Sequence, residues 1–134
     1  VNARGGGIMV GIVIVSHSAA LAESVVEMAA VMAADVPMAA AGGLEDGSFG
    51  TSFEKISAAI ESVYSENGVL VLMDLGSAVM TTEMVLEMMP ERRVEMVDCP
   101  LVEGAVTAAI DASGGMDFVA IKEHLATVAQ TKKF

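Results

Sequence analysis

The sequence predicts an α/β fold, a doubly wound and mainly parallel four-stranded sheet with helices on both faces. Two observations carry this. Short apolar runs alternate with amphipathic stretches along the whole chain, the pattern of successive βαβ units. The runs Val10-Gly-Ile-Val-Ile-Val15 and Val69-Leu-Val-Leu-Met73 are also apolar at every position, as strands covered on both faces must be.

Taken in order, residues 1–8 lie upstream of Met9, read as a flexible cloning remnant and are set aside. One domain is expected over residues 9–130. The first strand ends at Ser16-His-Ser18. Ser18 is placed as an N-cap, and Leu21, Val25, Met28, Ala29 and Met32 follow as the buried face of a helix. Pro37–Ala41 is a short strand ending in Gly42-Gly43. Thr51-Ser-Phe-Glu54 has capping-box spacing, with Thr51 as cap, and Phe53, Ile56, Ile60 and Val63 mark the next helical face. The strand Val69–Met73 stops at Asp74-Leu-Gly-Ser77, where Ser77 is placed as the cap of a helix over residues 78–89 that Pro90 ends. That helix holds four methionines and few polar residues, a width of apolar surface that fits either a subunit interface or deep burial. Val94–Val97 is an edge strand with Glu95 exposed. An Ala-rich helix to about Ser113 follows, and after Gly114-Gly115 a last helix carries Phe118, Ile121, Leu125 and Val128. The tail Lys132–Phe134 is expected to fray.

Composition narrows the function. The 134 residues are 54% hydrophobic but only 4% aromatic, so the core is aliphatic, and the eleven methionines serve as packing. A formal charge of −11 with seven Lys plus Arg argues against nucleic acid and fits a partner with a basic face. The single cysteine, Cys99, is read as a small buried hydrophobe in a reducing, cytoplasmic setting. No apolar stretch reaches the roughly 20 residues of a membrane span.

His17 and Asp74 each fall just past the C-terminal end of an apolar strand. With strand order 2-1-3-4 those strands are neighbours and the switch point lies between them, so the two side chains share one crevice. A carboxylate bonded to one ring nitrogen fixes the tautomer and leaves the other lone pair free, which makes the imidazole a phosphoryl acceptor. Ser16, Ser18, Ser77 and helix-start N–H groups are the candidates to hold phosphoryl oxygens. Each residue also has a plainer reading. His17 is equally a structural histidine, Asp74 a turn former, and Ser18 and Ser77 helix caps. Gly42, Gly43 and Gly76 supply backbone shapes that a Cβ forbids. His124 is placed facing solvent and Glu103 as an exposed helix-start acid. No group of residues suggests a metal site. A receiver domain is excluded because Ser-His-Ser stands where its acidic pair belongs, and Gly-x-Gly-x-x-Gly and Walker loops are absent. A histidine phosphatase lacks its arginine, since Arg92 and Arg93 follow Pro90. Phosphohistidine carriage survives.

Val-Ser-His-Ser (15–18), Ala-Ala-Gly-Gly (40–43), Phe-Gly-Thr-Ser (49–52), Leu-Met-Asp-Leu-Gly-Ser-Ala (72–78) and Pro-Leu-Val-Glu-Gly (100–104) fall in order. Together they resemble the phosphotransferase subunit of the phosphoenolpyruvate-dependent dihydroxyacetone kinase, which is similar to mannose-type IIA domains. The resemblance covers about residues 9–125. It implies a IIA-like four-stranded parallel sheet and a homodimer. It implies that His17 takes a phosphoryl group on Nε2 from the carrier protein HPr and passes it to ADP held in the kinase's nucleotide-binding subunit. Asp74 would orient the ring, and Ser16, Ser18, Gly42, Gly76, Ser77 and the segment near Pro100 would line the site. No cofactor of the chain's own is implied; ADP and ATP belong to the partner subunit. The alternatives are a mannose-type IIA domain donating to a sugar-transport IIB domain, and a regulatory interaction module without catalysis.

Overall fold

The computed structural model describes residues 9–134, so the expectation for residues 1–8 lies outside the described residues. Four strands, β1 (Gly11–Ser16), β2 (Met38–Gly42), β3 (Val69–Met73) and β4 (Val94–Met96), pair in parallel in the order β2-β1-β3-β4. Five helices connect or follow them: α1 (Ala19–Met32), α2 (Phe53–Val63), α3 (Ser77–Glu87), α4 (Leu101–Ser113) and α5 (Phe118–Leu125). A four-stranded parallel sheet in this order is the architecture expected from the sequence.

Alternation along the two central strands builds two cores. Ile12, Ile14, Leu70 and Leu72 point to one face and pack with α1, α4 and α5. Val13, Val15, Val69 and Val71 point to the other and pack with α2 and α3. The central strands are buried on both sides, which is why their sequences show no polar alternation. Each large aliphatic side chain removed from water there contributes roughly 1.5–3 kcal/mol. β4 closes one edge, and its exposed Glu95 is ion-paired to Lys122 of α5.

The buried stripe of α1 differs from the expected one. Ala22, Val25 and Ala29 face the core, whereas Leu21, Met28 and Met32 are exposed. The reason is the neighbour: α4 presents Ala105, Ala108, Ala109 and Ala112 to the same core, and small residues on both helices allow a close approach. The larger side chains of α1 lie outside that contact. The stripe Phe118, Ile121, Leu125 and Val128 is buried as its spacing indicated, although Val128 sits in a short 3-10 turn after α5. On α3 the deep-burial reading fails. Met80, Met84 and Met88 are 71%, 55% and 75% exposed and form an outward stripe at i, i+4 and i+8.

Two local expectations are corrected. Ser52, not Thr51, caps α2, its Oγ accepting from Lys55 N–H, while Thr51 Oγ1 pairs with Thr81 Oγ1 of α3 at 2.9 Å. Ser77 makes no capping bond; Gly76 occupies the cap position of α3. His124 is exposed as expected, and its Nδ1 also lies 2.6 Å from Oδ2 of the buried Asp111, tying α5 to α4. Among the described residues no helix is long and apolar enough to cross a membrane.

Candidate functional site

His17 is the first residue past β1 and Asp74 the first past β3. Because those strands are hydrogen-bonded neighbours with Val15 opposite Met73, the two side chains emerge side by side at the C-terminal edge of the sheet. Asp74 N–H donates to Val15 carbonyl at 3.1 Å, fixing the start of the loop. Ser18 then caps α1, accepting from Leu21 N–H at 3.1 Å.

Asp74 is the hub. Its Oδ1 is 3.1 Å from His17 Nδ1 and accepts Leu75 N–H at 2.7 Å; its Oδ2 accepts His17 N–H at 3.0 Å and the Ser16 hydroxyl at 2.8 Å. Burial pushes the carboxyl up, but the bonds from His17 N–H, the Ser16 hydroxyl and the His17 ring outweigh it and hold it below the usual carboxylate range. The group is therefore an acceptor at neutral pH, and the proton at this contact belongs to Nδ1. Nε2 is left with its lone pair outward, 2.8 Å from the Ser77 hydroxyl, which donates to it.

Other candidates divide by what they touch. Ser16 is fully buried, donates to Asp74 and accepts from Ser18 N–H at 3.0 Å, so it braces the acid and offers nothing to a ligand. Ser18 is likewise occupied as a cap. Ser77 stands at the ring, exposed at the first turn of α3. Among the described residues the N–H groups of Gly76 and Ser77 have no acceptor, so the positive end of α3 is open beside Nε2. Gly42, the last residue of β2, packs against the start of α1. A Cβ there would stand 2.8 Å from Ala19 Cα and 2.9 Å from Ala22 Cβ, so glycine lets β2 lie against the start of α1. Gly43, at φ +71°, does need the left-handed conformation; Gly76 does not, and a Cβ on it would meet only open space.

Residues 43–51 fold back over this edge. Gly43 N–H donates to Ser16 carbonyl at 3.1 Å and Gly50 N–H to His17 carbonyl at 2.9 Å. On the β4 side a cavity of about 390 Å³ lies between Met73, Leu75, Val79, Met96 and Cys99, with Asp74 and Asp98 among its lining residues. Cys99 there is half-buried, and burial, with the Asp98 charge second, pushes its thiol up to about 11. Glu103 is exposed as expected and pairs with Lys133 of the tail. Among the described residues no three His, Cys, Asp or Glu side chains are grouped to hold a metal ion.

A carboxylate-oriented imidazole at the switch point of a β2-β1-β3-β4 sheet is accompanied by a matching family model. The model described as the phosphotransferase-system (PTS) fructose IIA component, EIIA-man, matches residues 11–122. The chain belongs to the mannose-type IIA family. A Lactococcus lactis relative named phosphotransferase subunit DhaM of a PTS-dependent dihydroxyacetone kinase is 42% identical over 115 residues, 86% of this chain and 92% of that protein. The Escherichia coli phosphoryl donor subunit DhaM of a PEP-dependent dihydroxyacetone kinase is 42% identical over 116 residues, 81% of this chain but 25% of its own length. This mannose-type IIA chain thus spans nearly all of one relative and a quarter of the other. The mannose/sorbose-specific IIA subunit of Enterococcus faecalis superposes with a TM-score of 0.61 over 94% of this chain and 95% of its own. At 18% identity it shares the fold.

Proposed function

We propose that this chain is the phosphoryl donor subunit of a phosphoenolpyruvate-dependent dihydroxyacetone kinase, with His17 as the residue that carries the group. Phospho-HPr presents its phosphohistidine to the sheet edge. The lone pair on His17 Nε2 attacks phosphorus as the P–N bond of the donor breaks, and the donor imidazole recovers its own electron pair. Throughout, Nδ1 keeps its proton against Asp74, whose charge offsets the positive charge gained by the ring. The Ser77 hydroxyl rotates from donating to Nε2 to donating to a phosphoryl oxygen, and the free N–H groups of Gly76 and Ser77 take further oxygens. Discharge is the reverse: ADP bound in the kinase's nucleotide-binding subunit attacks phosphorus and His17 leaves as the neutral imidazole. The nucleotide belongs to that subunit, and the exchange takes place in the cytoplasm.

The observation that carries the reading is the fixed direction of the ring, with Nδ1 on Asp74 and Nε2 facing out. The names of the relatives supply the kinase and favour it over a sugar-transport IIB acceptor. Two subunits are assigned to the working form, joined through the methionine stripe of α3. The test is to incubate the protein with phosphoenolpyruvate, enzyme I and HPr and to look for an acid-labile phosphate. Labelling is expected in the wild type and absent in His17→Ala, and discharge is expected on adding the ADP-loaded subunit. Labelling of His17→Ala at the wild-type rate refutes the assignment.

A further inference from the structure

Two large apolar side chains are held out into water beside His17, and nothing in the fold explains them. Phe49 is 78% exposed and Leu75 is 59% exposed. The backbone that carries each is tied to the site. Gly50, next to Phe49, is bonded to the His17 carbonyl, and Leu75 N–H is bonded to Asp74 Oδ1. The loop that carries Phe49 is bonded within itself as well: Leu44 N–H to Ser48 carbonyl, Gly47 N–H to Leu44 carbonyl, Ser48 N–H and hydroxyl to Asp46. Phe49 belongs to the loop after β2 and Leu75 to the loop after β3, and His17 follows β1 between them. An apolar knob thus stands on either side of the ring. Past Leu75 lies the cavity of about 390 Å³, open to an apolar side chain from outside.

The charge at this edge is mainly negative, its one described cation being Lys55, whose Nζ donates to the Gly42 carbonyl at 3.0 Å. Residues 43–51, 74–76 and 97–100 contain Glu45, Asp46, Asp74 and Asp98 and no lysine or arginine. Hydrogen bonds from Ser52 to Glu45, and from Ser48 to Asp46, hold both exposed carboxyls below their ordinary range, so the rim stays ionised.

Building on the function proposed above, we infer that Phe49 and Leu75 are the anchors on which the phosphoryl-bringing protein docks, through an apolar patch ringed by basic side chains. The patch covers the two knobs, places a side chain in the cavity beside Leu75 and meets the acidic rim with its cations. Apolar anchors set the strength of such a contact, while opposite charge sets the rate and the choice of partner. Closing over His17 also expels water from the group being transferred.

The experiment compares two phosphoryl sources on one set of proteins. Phospho-HPr must dock; phosphoramidate, a small-molecule donor of phosphoryl groups to imidazole, need not. Phe49→Ala, Leu75→Ala and the double variant are expected to raise KM for phospho-HPr about tenfold or more in the double variant, an effect typical of truncating two anchors. The phosphoramidate rate is expected to stay within about twofold of wild type, a change of less than about 0.5 kcal/mol in barrier. Asp98→Lys is expected to raise the same KM and to steepen no further with salt. Unchanged KM in the double variant overturns the docking surface, as does an equal fall with both donors, which places the two residues in the site itself. Failure of wild-type His17 to take label from either donor overturns the phosphoryl-carrier reading, and this inference with it.

Discussion

Replacing Asp74 with asparagine isolates what the carboxylate does for His17, because size and shape are kept while one oxygen becomes a donor. In the wild type Oδ2 receives His17 N–H and the Ser16 hydroxyl, and Oδ1 receives Leu75 N–H and the His17 ring. The amide nitrogen of asparagine therefore confronts a backbone N–H in either orientation, that of His17 or that of Leu75. One donor left without its acceptor costs about 1–3 kcal/mol of stability. The loss to transfer is separate. A hydrogen bond to a charged group is worth about 1.5–3 kcal/mol, so losing the carboxylate slows formation of the positively charged ring about 10- to 100-fold. Quenched-flow labelling from phospho-HPr measures the rate, and ¹⁵N shifts of the imidazole report which nitrogen keeps its proton. The pH dependence follows from the lowered carboxyl of Asp74. A carboxyl whose pKa falls on folding adds stability above its unfolded value of about 4, and that stability is lost as pH drops through the folded value. Asp74→Asn is thus expected to flatten the acid limb of the stability curve below about pH 4. A folded Asp74→Asn protein that labels at the wild-type rate refutes the role assigned to the acid.

Gly42→Ala is expected to cost about 1–3 kcal/mol in urea unfolding, since its Cβ would press on Ala19 and Ala22; an unchanged midpoint shows that β2 and α1 are less tightly apposed. His124→Ala leaves buried Asp111 without its partner and is expected to lower stability by about 1–3 kcal/mol in the same assay, whereas a purely solvent-facing histidine would cost nothing. Cys99 is expected to alkylate slowly with iodoacetamide at about pH 8, with a rate still climbing toward pH 11, because only the thiolate reacts; fast labelling near neutrality refutes the raised thiol. The wild type is expected to sediment as a dimer and the triple variant Met80→Ser, Met84→Ser, Met88→Ser as a monomer. A variant that remains dimeric places the interface elsewhere.

What could be read from the sequence, and what could not, follows from the range of the interactions. β1 and β3 were legible because double burial leaves only apolar residues, and the histidine and the acid were legible because each ends such a run. The stripe of α1 was misread because hydrophobic spacing gives weight to Leu21, Met28 and Met32, while the helix it meets selects small residues, Ala22 and Ala29. That selection is made by α4, more than 70 positions further on, and leaves no local mark. At Thr51-Ser52 two adjacent hydroxyls compete for one cap. The outcome is decided by Thr81, which engages Thr51. Ser16 looked like a ligand because it neighbours His17, but strand alternation turns it inward to brace Asp74. The exposure of Phe49 was not anticipated, since an apolar residue in a loop gives no sign of whether it faces the core.

The imidazole and its acid lie 57 residues apart and meet only through the pairing of β1 with β3. Sliding β3 by a single residue would swing its side chains to the opposite surface of the sheet. In such a misassembled chain the ring would lose its guide and the acid would face the wrong layer. Competence to carry phosphate is thereby a readout of correct assembly, and a misfolded copy falls silent instead of competing for the donor.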